Sequence, residues 1–194
     1  MQRRSFLLHT AVTGGALALT ACGATSSVNT TAGNRPVQRH QKTDTDADAA
    51  MARLTGMTPG ARELLGKARG SLIFPNVIAA GLGVGGQYGE GVLRVGNLTE
   101  DYFSLVSLSI GLQIGAQSKA IIFLFMSQDA LDKFRRSQGW SVGADASVAV
   151  LHAGANGAID INAVNAPVVA FIMTNTGLMA NLTLEGTKVT RLKS

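Results

Sequence analysis

Six of the eleven residues from Gly81 to Gly91 are glycine. Glycine costs about 1 kcal/mol per residue relative to alanine inside a helix, so this density rules an ordinary helix out. It permits a strand with bends, because glycine within a strand marks a bulge, a tight turn or the close approach of another backbone. The same stretch spells G-x-G-x-x-G at Gly81, Gly83 and Gly86, and Asp101 follows Gly81 by 20 residues. A dinucleotide loop needs a helix at its third glycine to receive the pyrophosphate. Gln87-Tyr88-Gly89-Glu90-Gly91 cannot open one, so the expectation is a bent glycine-rich strand and no nucleotide.

The rest of the chain agrees with a sheet. Tyr102, Ser104, Val106, Leu108, Ile110, Leu112 and Ile114 alternate with Ser107, Ser109, Gly111, Gln113 and Gly115, the period of a half-buried strand. Ala120 to Phe125 reads as a short apolar strand. Further strands are expected over 142–151, 157–164, 168–175, 178–184 and 187–192, separated by Gly, Asn and Pro, with Glu185-Gly186 closing a hairpin. Two helices stand out. Thr58-Pro59 reads as an N-cap and first helical residue, ahead of Ala61, Leu64, Leu65 and Ala68 at helical spacing. Ser127 caps a second, with Asp129 at its start and Arg135 and Arg136 at its end, as the helix dipole prefers. The fold class is α+β: a multi-stranded antiparallel sheet, free to curl into a small barrel, with two or three helices.

The first residues carry an address. Arg3-Arg4, the uncharged run Phe6 to Leu19 and Leu19-Thr20-Ala21-Cys22 read as an export signal over 1–21. The run is 14 residues long, against about 20 for a spanning helix. Arg3-Arg4-Ser5-Phe6-Leu7 also fits a twin-arginine signal, and the general secretory route stays open beside it. Cys22 is the only cysteine, so it can form no internal disulfide. Its place in a lipobox-like sequence makes it the expected lipidation site, carrying diacylglyceryl and palmitate-type acyl chains that hold the protein to a membrane. The expected location is the cell envelope, facing the periplasm, with Gly23 leaning toward the outer membrane.

From Cys22 to Ala50 the sequence is poor in large apolar residues, which predicts a flexible tether over 22–50 with a reach of about 30 Å. Residues 51–194 then form one domain. Removing the signal leaves 15 basic and 12 acidic residues, a balance that does not call for nucleic acid.

Chemistry is hard to find. His152 is the only histidine of the 51–194 domain, and no cysteine cluster or histidine pair exists to hold a transition metal. His152, Asp145 and a serine could be assembled into a triad, but Gly139-Trp140-Ser141-Val142-Gly143, which spells G-x-S-x-G, leads into short strands and not into the helix that a nucleophile elbow needs. Glu90, Glu100, Asp101 and Asp160 are carboxylates of unknown separation. Neither an enzyme nor a cofactor is expected. Basic residues remain: Arg62, Lys67 and Arg69 around the first helix, and Lys133, Arg135 and Arg136 on the second. They could meet phosphate headgroups while Leu54, Met57 and Leu64 reach acyl chains, or they could be a solvated face over a leucine core.

The stretch Ala68-Arg69-Gly70-Ser71-Leu72-Ile73-Phe74-Pro75-Asn76-Val77 and the stretch Ala80-Gly81-Leu82-Gly83-Val84-Gly85-Gly86-Gln87-Tyr88-Gly89-Glu90-Gly91-Val92-Leu93 closely resemble the SYLF domain family. Ser109 to Ser118, Phe123 to Phe134 and Gly177-Leu178-Met179-Ala180 continue the resemblance in order, so that it spans 51–194. It implies a lipid-binding domain whose amphipathic, basic first segment faces the membrane. Here that is Pro59 to Arg69, with Arg62, Lys67, Arg69, Leu64 and Leu65 as the lipid-contacting residues. Eukaryotic members bind phosphoinositides and, in fungi, actin, neither of which a periplasmic protein meets. Anionic phospholipid or fatty acid is the implied ligand, and an envelope protein partner is the alternative.

Overall fold

The computed structural model describes residues 35–151, 165–174, 177–178, 184 and 186–193, with backbone only at 35, 81–84 and 109–116. The export signal, Cys22, residues 22–34, the strand expected over 157–164, His152, Asp160 and Glu185 lie outside the described residues. The order is α1 (Arg35–Met57), α2 (Ala61–Lys67), β1 (Gly70–Val95), β2 (Leu98–Phe125), α3 (Gln128–Arg136), β3 (Trp140–Ser141), β4 (Val148–Leu151), β5 (Val168–Thr174), β6 (Gly177–Leu178) and β7 (Lys188–Arg191). The α+β class holds, and the sheet is mostly antiparallel and curled into a half-barrel.

The glycine-rich segment is a strand, as its composition requires, and it is part of something longer. β1 and β2 form one antiparallel hairpin, paired from Gly70↔Phe125 to Val95↔Leu98, and its turn has Gly96 at φ 60°. The two segments expected to be separate strands, 102–114 and 120–125, are continuous within β2. A flat ribbon of 26 residues would run about 85 Å, far beyond a domain of this size with a radius of gyration near 15 Å. It has to fold over. The register shifts between Phe74 and Val77, between Gly81 and Gly83, and between Leu93 and Arg94, and β1 comes to lie against itself. A Cβ on Gly91 would sit 2.5 Å from Phe74 Cδ1 and closer still to the Ile73 carbonyl oxygen, and one on Gly89 would sit 2.8 Å from Val77 Cγ2. Those two glycines are where one half of the strand crosses the other.

On its far edge β2 pairs with β7 over Phe103–Val106 and with β5 over Ala120–Phe125. β5 also takes β4 in parallel and is buried on both faces. Its alternate residues therefore serve two cores. The inner core joins Leu72, Phe74, Leu93, Phe103, Leu105, Ile121, Phe123 and Phe125 to Leu131 and Phe134 of α3 and to Trp140. Its rings meet edge-on, Phe123 and Phe134 lying 5.4 and 5.5 Å from Trp140, an arrangement aromatic quadrupoles favour. The outer core joins Ile73, Val92, Ile122, Leu124, Val169 and Phe171 to the helices.

The helices bring the main correction. Residues 35–50, read as tether, are helical and packed: Ala47, Ala50 and Leu54 are buried in the outer core. Their spacing of three and four was in the sequence, but alanine contributes too little apolar surface to signal a docked face. Polar contacts supply the rest. Asp44 accepts from Thr99 Oγ1 at 2.9 Å and Tyr102 Oη at 2.7 Å, Asp46 accepts from Asn76 Nδ2 at 2.8 Å, and Arg94 pairs with Asp44 and Asp48. α2 begins two residues after the expected Pro59, behind Gly60 at φ 87°, with no side-chain cap. α3 begins as expected, Ala130 N donating to Ser127 Oγ at 3.2 Å.

Candidate lipid-facing surface

The membrane-facing residues inferred from the sequence are only partly available in this fold. Arg62 is exposed on α2, and Lys67 is exposed but ion-paired to Glu63 at 2.8 Å. Arg69 lies beyond the helix, where its backbone N–H donates to the Phe125 carbonyl at 2.7 Å and starts the sheet. Arg69 therefore does not extend the side of α2 that carries Arg62. Leu64 is 1% exposed in the outer core, and Leu65 packs against that core half-buried. Leu54 is core as well, whereas Met57 is exposed. The apolar face of α2 is thus spent on the sheet, and neither Leu64 nor Leu54 can reach an acyl chain without undocking. In α3, Lys133 pairs with Asp129, and Arg135 holds Glu100 at 2.6 Å and Asp132 at 3.3 Å. The Glu100 hydrogen bond keeps the Arg135 guanidinium firmly protonated.

Exposed apolar surface appears instead on the folded ribbon. Leu108 is 78% exposed, Ile78 57%, Tyr88 50% and Val106 49%. Tyr88 and Val106 are cross-strand partners, and Leu108 follows Val106 on the same side of β2. Val106 has Lys188 of β7 as its other partner. Ile78 and Tyr88 line one groove of about 220 Å³ with Lys42, Thr43, Asp46 and Glu90. Arg39, on the same helix as Lys42, pairs with Glu90 at 3.5 Å, and Tyr88 Oη donates to that carboxylate at 2.9 Å. Partial burial, and then the neighbouring Glu90, push the Tyr88 phenol up. The result is an apolar patch whose rim carries two ion pairs, Arg39 with Glu90 and Lys42 with Asp46, and one further cation, Lys188. The sequence does not announce it, because Val106 and Leu108 belong to an alternation that reads as a half-buried strand with its apolar residues inward, and Tyr88 to a segment whose signal is glycine density.

Among the described residues no three of His, Cys, Asp and Glu are grouped to hold a metal, and no helix is long and apolar enough to cross a membrane.

A self-folded glycine-rich hairpin, closed by β5 and β7 and carrying an apolar patch, defines an α+β half-barrel with a binding-type surface. Residues 106–194 match the family model described as "Ysc84: Las17-binding protein actin regulator". From the middle of β2 onward the chain is therefore similar to the SYLF family, consistent with the resemblance. The glycine-rich blocks of β1 that first carried the resemblance lie ahead of the matched segment. No curated protein matches the chain.

Proposed function

We propose that this protein is a lipoprotein of the cell envelope, anchored through Cys22, whose folded domain makes a second contact with anionic membrane lipid and catalyses no reaction. The observation that carries the lipid contact is the ribbon patch of Ile78, Tyr88, Val106 and Leu108 beside Lys188 and the surface ion pairs Arg39–Glu90 and Lys42–Asp46. Apolar side chains flanked by cations suit the headgroup boundary, where each lysine or arginine near an anionic surface contributes about 1 kcal/mol. The lipobox-like Leu19-Thr20-Ala21-Cys22 supports the anchor and the periplasmic, outer-membrane side of the reading. Arg62 and Arg69, both exposed, are additional headgroup contacts in this proposal.

The test is co-sedimentation of the full chain carrying Cys22→Ser with neutral and anionic vesicles. Binding selective for anionic vesicles, lost in Val106→Glu/Leu108→Glu, supports the proposal. Equal binding by that variant removes the patch from it, and the Arg62→Glu/Arg69→Glu variant then reports whether α2 makes the contact. A second reading is favoured by the family description, which speaks of binding a protein: the patch receives an envelope protein, and only the acyl anchor touches lipid. Absence of vesicle binding, with stoichiometric capture of one envelope protein that Leu108→Glu abolishes, would select it.

A further inference from the structure

The opposite, inward side of the same ribbon holds polar groups that the fold leaves unanswered. Lys119 is 7% exposed and follows the alternation of Ile121, Phe123 and Phe125 into the inner face. No hydrogen bond or ion pair reaches its ammonium group among the described residues, and burial pulls its pKa down. A lysine stem this buried usually ends on a partner, whereas Lys119 Nζ has none and keeps some access to solvent. Gln87 and Thr187, 7% and 0% exposed, keep Oε1 and Oγ1 buried and without a hydrogen bond.

These groups converge. Gln87 pairs with Ser107, itself buried. Continuing the β2–β7 register by one residue from Val106↔Lys188 sets Thr187 opposite Ser107. Gln87, Ser107 and Thr187 thus form one row across three strands, facing the same way. Lys119 pairs with Val77, and Val77 lies against Gly89, two residues along β1 from Gln87 on the same face. The crossing of the ribbon therefore brings the lysine toward the row. Nearby inward side chains are apolar: Val77, Ala79, Leu105 and Ile121. Which end of the Gln87 amide carries the oxygen is an assignment. With the amide turned, Gln87 and Thr187 present donors from one row and Lys119 presents its ammonium on the same inner side of the ribbon, and no carboxylate of the described residues pairs with them.

We infer that the row Gln87–Ser107–Thr187 with Lys119 is an internal site for a single oxyanion carried on an apolar chain, the carboxylate of a fatty acid or the phosphate of a one-chain phospholipid. The inference deepens the lipid reading, yet it uses the face of the ribbon opposite to the vesicle patch, so the two stand or fall separately.

The experiment titrates the full Cys22→Ser chain with carboxyl-¹³C oleate, with lysophosphatidylglycerol and with inorganic phosphate, following stoichiometry and the ¹³C or ³¹P shift of the bound headgroup. One saturable equivalent of oleate, weakened at least tenfold in Lys119→Met and less in Thr187→Val, establishes a carboxylate site. The same pattern with lysophosphatidylglycerol alone establishes a phosphate site. Lys119→Met removes a buried charge and should fold, and its melting temperature checks this. Saturation by neither amphiphile, saturation by phosphate alone, or unchanged affinity in Lys119→Met overturns the inference, and none of these touches vesicle binding by Val106 and Leu108.

Discussion

His40 lies flat on Tyr102, ring centroids 3.7 Å apart and planes within 7°, while the Tyr102 hydroxyl donates to Asp44 one helical turn further along α1. One tyrosine of β2 thus clamps the first half of a helix whose composition suggested a free tether. The same contact has a titration signature. Partial burial and the Asp44 carboxylate push the Tyr102 phenol up to about 12.

Tyr102→Phe should lower stability by about 1 to 2 kcal/mol, the usual worth of a hydrogen bond to a charged group at a partly exposed site. The sign with pH follows from the raised value. The contribution is fully present below pH 10, where an unfolded tyrosine keeps its proton, and is lost as pH rises through about 12. Urea unfolding of parent and variant at pH 8 and at pH 11 should show the gap narrowing. A gap that stays constant would mean that the hydroxyl and Asp44 are not coupled.

A chain starting at residue 51 would lose Ala47, Ala50 and the acidic contacts of α1. It should melt well below the full chain, or fail to unfold cooperatively, and Leu54→Ala in the full chain should cost about 2 to 5 kcal/mol. Equal melting temperatures for the long and short chains would restore the tether.

Gly91→Ala should destabilise by about 2 kcal/mol or more, because its methyl group meets backbone at Ile73 and the ring of Phe74. Gly86→Ala, with only the Ser107 carbonyl oxygen at 3.8 Å, should be mild. Differential scanning calorimetry of the pair separates a self-crossing ribbon from a generic preference for glycine, which would treat the two alike.

Gly66→Ala, exposed within α2 and with open space around the added carbon, should raise stability by about 0.5 to 1 kcal/mol. A loss on chemical denaturation would show that α2 needs a close approach at this position.

Lys119→Met should stabilise the ligand-free protein near neutral pH. The lowered lysine pKa means that the unfolded chain binds more protons, so stability of the parent climbs as pH rises toward the ordinary lysine value of 10.5. The variant should lack that climb. Matching pH profiles from thermal melts would place the Lys119 ammonium in water.

How much could be read in advance depended on the range of each interaction. The density of glycine from Gly81 to Gly91 excluded a helix by backbone entropy alone, and Ser127 announced α3 because a cap acts over three residues. The period of two in β2 and the unbroken apolar run of β5 likewise reported strands, and the SYLF-like blocks reported a resemblance to a family. These are local or near-local properties, and the sequence by itself determined them. That Leu64 is core, that Arg69 belongs to the sheet, that Asp44 and Asp48 meet Arg94 some fifty residues away, and that Leu108 faces outward while Lys119 faces in were decided only in the tertiary structure. Each depends on the ribbon folding over itself at Gly89 and Gly91. Such a crossing is set by which surfaces can be buried together, and no window along the chain contains both sides of it.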